Sequence, residues 1–460
     1  MAHRRMLQRL ALAAVALLLL GAAGSAFARD GGGVFHPETA TLENGLEVVV
    51  VSNHRSPVVT HMLWYKVGAA DEPAGHSGIA HLLEHLMFKG TKTRGPGEFS
   101  ATVSRNGGQE NAFTSWDFTA YYQSVAKDRL PLVMEMEADR MTNLVLNEEQ
   151  VAPEKQVVLE ERRQRIDNDP GARLDVFADA ILFFNHPYRR PIIGWEKEIR
   201  DLTAEDVLAF YRRWYAPNNA VLVVAGDVTL AEVLPLARTY YGAIPRADTP
   251  ARLDLAEPRA ETPRRIELAD ARVRQETWSR AYIAPGARYG ATELAQPLEV
   301  LAHVLGGGPS SRLYRELVVE AGLADQAYVW YEPDVRGPAR FSVTVKPRRG
   351  VSLAQVEEAV DGVFARVLAE GIDADEVERS RRRLQAEAVF ARDGLSEGAQ
   401  LLGRALAIGL TTEHVEQWPA RIAAVGKAEV DAAAKAVLDP GGSVTALLGA
   451  EASDQQAAAQ

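Results

Sequence analysis

The order of elements on either side of one polar stretch constrains this chain more than anything else in its sequence. Residues 246–265, "RADTPARLDLAEPRAETPRR", mix charge signs, contain prolines and carry no helix or strand periodicity, so they read as a linker. Before the linker, "TLENGLEVVVVSN" and "PVVTHMLWYKVGA" read as β-rich segments, the first with an Asn-Gly turn. Helices are predicted over 77–88 and 97–105, two strands in "QENAFTSWDFTAYYQSVA", and helices over 129–146 and 148–167. A helix with a Thr-x-x-Asp cap, "LTAEDVLAFYRRWY", then leads into the apolar strand "AVLVVAGDV". After the linker the order starts again. "RRIELADARVRQETWSRAYIAP" is strand-like, "ATELAQPLEVLAHVLGGG" is a helix stopped by glycines, and a strand and two long helices follow. The halves share element order rather than residue identity, a weak internal duplication. The expectation is an α+β chain of two tandem domains, 29–245 and 266–450, with a polar, disordered tail at 451–460.

Residues 1–28 read as a secretory signal. Arg4, Arg5 and Arg9 precede a short apolar run, and "AFA" supplies a small-x-small cleavage site. The run is short for a membrane anchor, and a periplasmic location is expected. Without these residues the net charge is 48 minus 62, or −14, a balance unsuited to nucleic acid or anionic membranes. The chain has no cysteine, which excludes disulfides, thiolate ligands and a cysteine nucleophile. Any metal must be held by His, Asp or Glu.

The chemistry centres on "GHSGIAHLLEHLMFKGT". His81 and His85 lie four apart, one turn apart on a single helix face, so both imidazoles can reach one ion. Glu84 stands next to His85, where it can address a metal-bound water without being a ligand. His-x-x-Glu-His is the inverted zinc-helix order. A catalytic zinc takes three protein ligands and a water, so an acid or histidine on a neighbouring element is needed. "APEKQVVLEERRQRIDNDP" offers Glu154, Glu160 and Glu161, with Glu154 and Glu161 on one face and Glu160 pointing away. His76 falls off the ligand face, His303 has no companion ligand, and "GGGPSS" lacks the Gly-Lys-Ser/Thr of a phosphate loop.

At these residues the chain resembles the pitrilysin-type, or inverzincin, metallopeptidases, nearest to the mitochondrial processing peptidase group and its bacterial relatives. The carriers are "GIAHLLEHLMFKGT", "NAFTSWDFTAYY", "VVLEERRQR", "HPYRRPIIG", "FYRRWYAPNNAVLVVAGDV" and "GGGPSSRLYRELV". The resemblance implies two α/β rolls, the second an inactive repeat. It makes His81, His85 and Glu161 the ligands of one zinc ion, Glu84 the general base, and Glu154 an acid beside the metal. Asn111, Ala112, Phe113 and Thr114 match the edge strand on which the family's substrates lie extended. One part of the pattern is missing. Active single-chain members carry an arginine and a tyrosine early in the second half that hold the substrate carbonyl. Here Val318 or Val319 and Asp325 stand in those places, with Tyr328 three residues late. The resemblance then implies the zinc subunit of a heterodimer whose same-fold partner lacks the zinc motif and supplies the pair. A homodimer or a self-sufficient chain, a maturation protease for one small peptide, and a non-catalytic scaffold are the alternatives.

Overall fold

The computed structural model describes residues 33–391, 394 and 396–451; the signal-like segment and nearly all of the tail lie outside them. Two sheets organise the chain. The first has strand order β1-β2-β6-β3-β5-β4, formed by Glu38–Thr41, Glu47–Ser52, Ala220–Gly226, Val58–Tyr65, Thr119–Ala126 and Gln109–Thr114 in that order. The second runs β7-β11-β8-β10-β9, formed by Arg264–Asp270, Ser443–Ala450, Thr277–Ala284, Ala339–Pro347 and Ala324–Tyr331. In each sheet one pair is parallel, β2 with β6 and β7 with β11, and the rest are antiparallel. The order β2-β6-β3-β5-β4 thus repeats as β7-β11-β8-β10-β9. The duplication seen faintly in the sequence is complete in the topology. No helix among the described residues is long and apolar enough to cross a membrane.

The strands follow their sequences. β6, "AVLVVAG", is buried at every position because it lies centrally with both faces covered. β7 alternates half-buried and exposed residues, as an edge strand does, and it begins at Arg264, two residues inside the expected linker.

The two halves are not separate bodies. Helix Pro170–Leu182, from the first half, packs Leu174, Ala178 and Leu182 against Ala281, Val444 and Ala446 of the second sheet. Helix Glu397–Ala407, from the second half, lays Ala399, Leu402 and Ala405 on Val49, Met62, Trp64 and Val223 of the first. Division at the linker therefore cuts across two cores. Each sheet's outer face is apolar and must be covered, and the covering helix comes from the other half.

Two sequence-based bounds shift locally. The helix expected over 77–88 spans Ile79–Leu86, because Gly78 starts it with φ 88°. The helix expected to reach 167 is α-helical over Glu148–Arg162 and continues as a π-turn, Arg163–Asp167.

Candidate active site

The first element to place is the His81 helix, Ile79–Leu86. It presents Ile79, Leu82, Leu83 and Leu86 to the core beneath the first sheet. Its N-terminus is clamped by backbone. A Cβ on Gly78 would lie 2.6 Å from the Ile193 carbonyl oxygen, and one on Gly194, at φ 91°, would lie 2.5 Å from that of Ser77. The Trp195 N–H donates to Ser77 Oγ at 2.9 Å, and the Gly78 and Ala80 N–H groups donate to Glu72 Oε1 at 3.0 and 3.1 Å. Motif "HPYRRPIIG" thus acts from outside the helix, fixing its start.

On the facing Glu161 helix, Glu148–Arg162, the sequence spacing resolves into roles. Glu161 Oε2 lies 3.7 Å from His81 Nε2 and 3.2 Å from His85 Nε2. One ligand atom from each of the three residues falls within 4.8 Å of the others. Ligand atoms about 2.0–2.2 Å from a tetrahedral metal stand roughly 3.3 Å apart, so these donors fit a single ion and leave one position open. Glu154, 6% exposed, accepts from His85 Nδ1 at 3.0 Å and pairs with Lys89 at 2.6 Å. That bond fixes the His85 ring through a proton on Nδ1 and points Nε2 toward Glu161. Glu160 faces solvent and accepts from Arg163 Nε at 2.9 Å.

The two histidines differ in their electrostatics. Burial, with the charge of His85, pushes His81 well below the ordinary imidazole range, so it presents a lone pair rather than a proton. Burial also works against a charge on His85, yet its bonds to Glu154 and Glu161 outweigh that and lift it to about 9, and a metal held at Nε2 would displace the proton there. The bond from His85 holds Glu161 low. His81 Nδ1 is buried with no partner.

Glu84 is oriented from a second element. Thr114, the last residue of β4, donates its hydroxyl to Glu84 Oε2 at 2.5 Å. Burial raises the Glu84 carboxyl and the Thr114 bond opposes that rise. Sequence reasoning placed Thr114 on the substrate edge and missed this bond. It also missed Lys89, and Arg165, which pairs with Glu161 Oε1 at 2.9 Å. No spacing rule announces such long-range partners, although the cation four residues after Glu161 was a legible signal.

His81, Glu84, His85, Thr114, Glu161 and Arg165 open into one cleft of about 1090 Å³. β4 forms one wall, pairing with β5 on one side only, and the Ala112 N–H donates to the Asn111 side chain at 2.9 Å. Asn111, Ala112, Phe113 and Thr114 all line the cleft, and Asp175 and Asp179 of helix Pro170–Leu182 add carboxylates to it. His76 is outside it, 3.6 Å from Asp206, and His303 lies in the second half.

Residues 47–195 match the family described as insulinase (peptidase family M16), and residues 201–384 match the peptidase M16 inactive domain. Zinc protease PqqE of Helicobacter pylori is 35% identical over 333 residues, covering 71% of this chain and 73% of its own. This chain belongs to peptidase family M16. An uncharacterized M16-like relative, a zinc protease of Streptomyces coelicolor, is 30% identical over 404 residues, 86% of each chain. The crystal structure of a protease from Helicobacter pylori has a TM-score of 0.84 with the M16 chain at 29% identity, covering 90% of this chain and 99% of that one. The pitrilysin-type resemblance and the two tandem rolls are thereby established for this M16 member.

Proposed function

We propose that the chain is a zinc metalloendopeptidase that cleaves extended peptides. The observation that carries this reading is the convergence of His81 Nε2, His85 Nε2 and Glu161 Oε2, with Glu84 beside them, in a cleft walled by an open sheet edge. The relatives named zinc proteases support zinc as the ion. The chemistry zinc supplies in such a donor set is acidification of a water molecule to a pKa of about 7. His81, His85 and Glu161 hold the ion, and Glu154 orients His85 through Nδ1. Thr114 occupies Glu84 Oε2, which leaves Oε1 to take the proton of the attacking water and pass it to the leaving amine. A substrate strand adds to β4 and replaces the Asn111 side chain on the Ala112 N–H, so it must be extended. Folded proteins are poor substrates on this reading.

The same reading makes the chain one subunit of two. Asp325, in the tyrosine's expected place, lies 3.6 Å from Arg348, Val319 is 64% exposed, and Tyr328 is 43% exposed on β9. A same-fold partner carrying the missing arginine and tyrosine completes the carbonyl-holding half of the site. The leader-like pattern of residues 1–28 supports export, and N-terminal sequencing of the mature protein checks it.

Purified protein is expected to hold close to one zinc per chain, and Glu84→Gln to keep that zinc while losing peptide cleavage. A metal-free protein, or turnover retained by Glu84→Gln, defeats the peptidase reading. Alone, the chain is expected to be nearly inactive and to gain activity with a fold-matched partner. Full activity as a monomer removes the two-subunit part only.

A further inference from the structure

A second cavity, of about 740 Å³, opens at the other end of the His81 helix. Ile79 lines it, whereas His81, Glu84 and His85 line the metal cleft. Its walls come from the loop before that helix, the "HPYRR" segment, helix Ala204–Trp214 and the linker. Five arginines face it: Arg189, Arg190, Arg213, Arg252 and Arg336. Arg252 is neutralised by Asp71 at 2.7 Å and Arg336 by Asp254 at 2.6 Å. Among the described residues no carboxylate lies within ion-pair distance of the other three. Arg189 donates to the Phe184 carbonyl, Arg213 lies 5.9 Å from the Trp214 ring, and Arg190 reaches only the carbonyls of Ala69 and Glu72.

Two polar side-chain atoms of these residues are buried without a partner. Arg190 Nε is buried with no partner. Glu72, 5% exposed, spends Oε1 on two backbone N–H groups of the His81 helix, and its Oε2 is buried with no partner. Burial lifts Glu72 to about 8, so it adds little negative charge to the cavity near neutral pH. His186, also lining the cavity, is pushed down to about 4 by burial and by Arg336 and Arg190, as a positive field requires. Three arginines without a counter-carboxylate at one cavity favour an anion. Phe210, Trp214 and Leu255 add an apolar wall beside Asp71, Asp206 and Asn185, which suits a hydrophobic body attached to the anion.

We propose that this cavity binds a small organic carboxylate with an apolar body, the free C-terminal residue of a short peptide being one example. Its carboxylate accepts from the half-buried Arg190 and is drawn in by Arg189 and Arg213 at the exposed mouth. The inference does not depend on the peptidase reading, because none of these residues touches the metal cleft.

Calorimetric titration of the intact mature protein with N-acetylphenylalanine, its amide and inorganic phosphate tests it. Saturable binding is expected for the acid, with the amide at least about tenfold weaker. Phosphate, which has no apolar body, is expected to bind weakly too. Arg213→Ala, an exposed change that spares the fold, should weaken the acid several-fold, and Glu84→Gln should leave it unchanged. No binding of the acid, phosphate binding as tight as the acid, or equal binding in Arg213→Ala and in Arg189→Ala overturns the proposal.

Discussion

At the scale of single residues, the proposed metal site depends on groups outside its donor set. Glu154 is one: it fixes the proton of His85 on Nδ1 and is itself held by Lys89. Glu154→Gln keeps the shape but removes the charge, and partners of this kind are worth roughly 10–100-fold in metal affinity. The expected outcome, read by competition with a chelator, is a loss of that size with the fold intact by circular dichroism. Unchanged affinity would remove Glu154 from the site. Thr114 is the other. It gives Glu84 its one hydrogen bond from a hydroxyl, and a bond to a charged group is worth about 1.5–3 kcal/mol. Thr114→Val should therefore lower kcat/KM by roughly ten- to a hundredfold while zinc content stays near one per chain. His81 and His85 were legible because helical spacing and ligand chemistry are local rules, whereas Glu161 was singled out from Glu154 only by the family resemblance. The roles of Thr114 and Lys89 were not legible, since they arise from where β4 and the Glu161 helix come to rest.

At the scale of elements, most strands and helices could be read from period and punctuation, but where they pack could not. Helix Glu397–Ala407 has an apolar stripe that fits any uncovered sheet, and nothing in its sequence names the first one. Strand β11 was missed for a related reason, since its parallel partner β7 lies about 170 residues earlier, beyond any local pattern. The exchanged helix leaves a specific mark at Gly403. A Cβ there would lie 2.1 Å from Trp64 Nε1, and Trp64 is 1% exposed. Gly403→Ala should thus push the helix off the sheet and cost about 1–3 kcal/mol despite improved helix propensity. Chemical denaturation measures the loss, and a red shift of tryptophan emission would locate it at Trp64. A stabilised variant would show that the helix packs elsewhere.

For the whole molecule, the joint between halves contains carboxylates that folding keeps from water. Asp179, on the helix that crosses to the second sheet, lies 2.7 Å from Arg340 of β10, yet burial still raises it to about 6. Glu299, which accepts from Trp418 Nε1 at 3.0 Å, and Glu72 are both lifted to about 8 by burial. Each folded-state value lies above the ordinary one, so folding takes up protons. The stability these groups contribute is whole below about pH 4. It is lost as pH rises through about 6 for Asp179 and about 8 for the two glutamates. His186, held down to about 4, acts in the opposite sense but only below its ordinary 6.5. Above that value the carboxylates dominate, so the melting temperature should fall steadily from about pH 6.5 to about pH 9. Glu299→Gln keeps an oxygen acceptor for Trp418 and removes one titration, so its melting temperature should fall less over the same range. A flat or rising melting temperature in the parent protein would mean these carboxylates are ionised in the folded state, and water or a cation must then reach them.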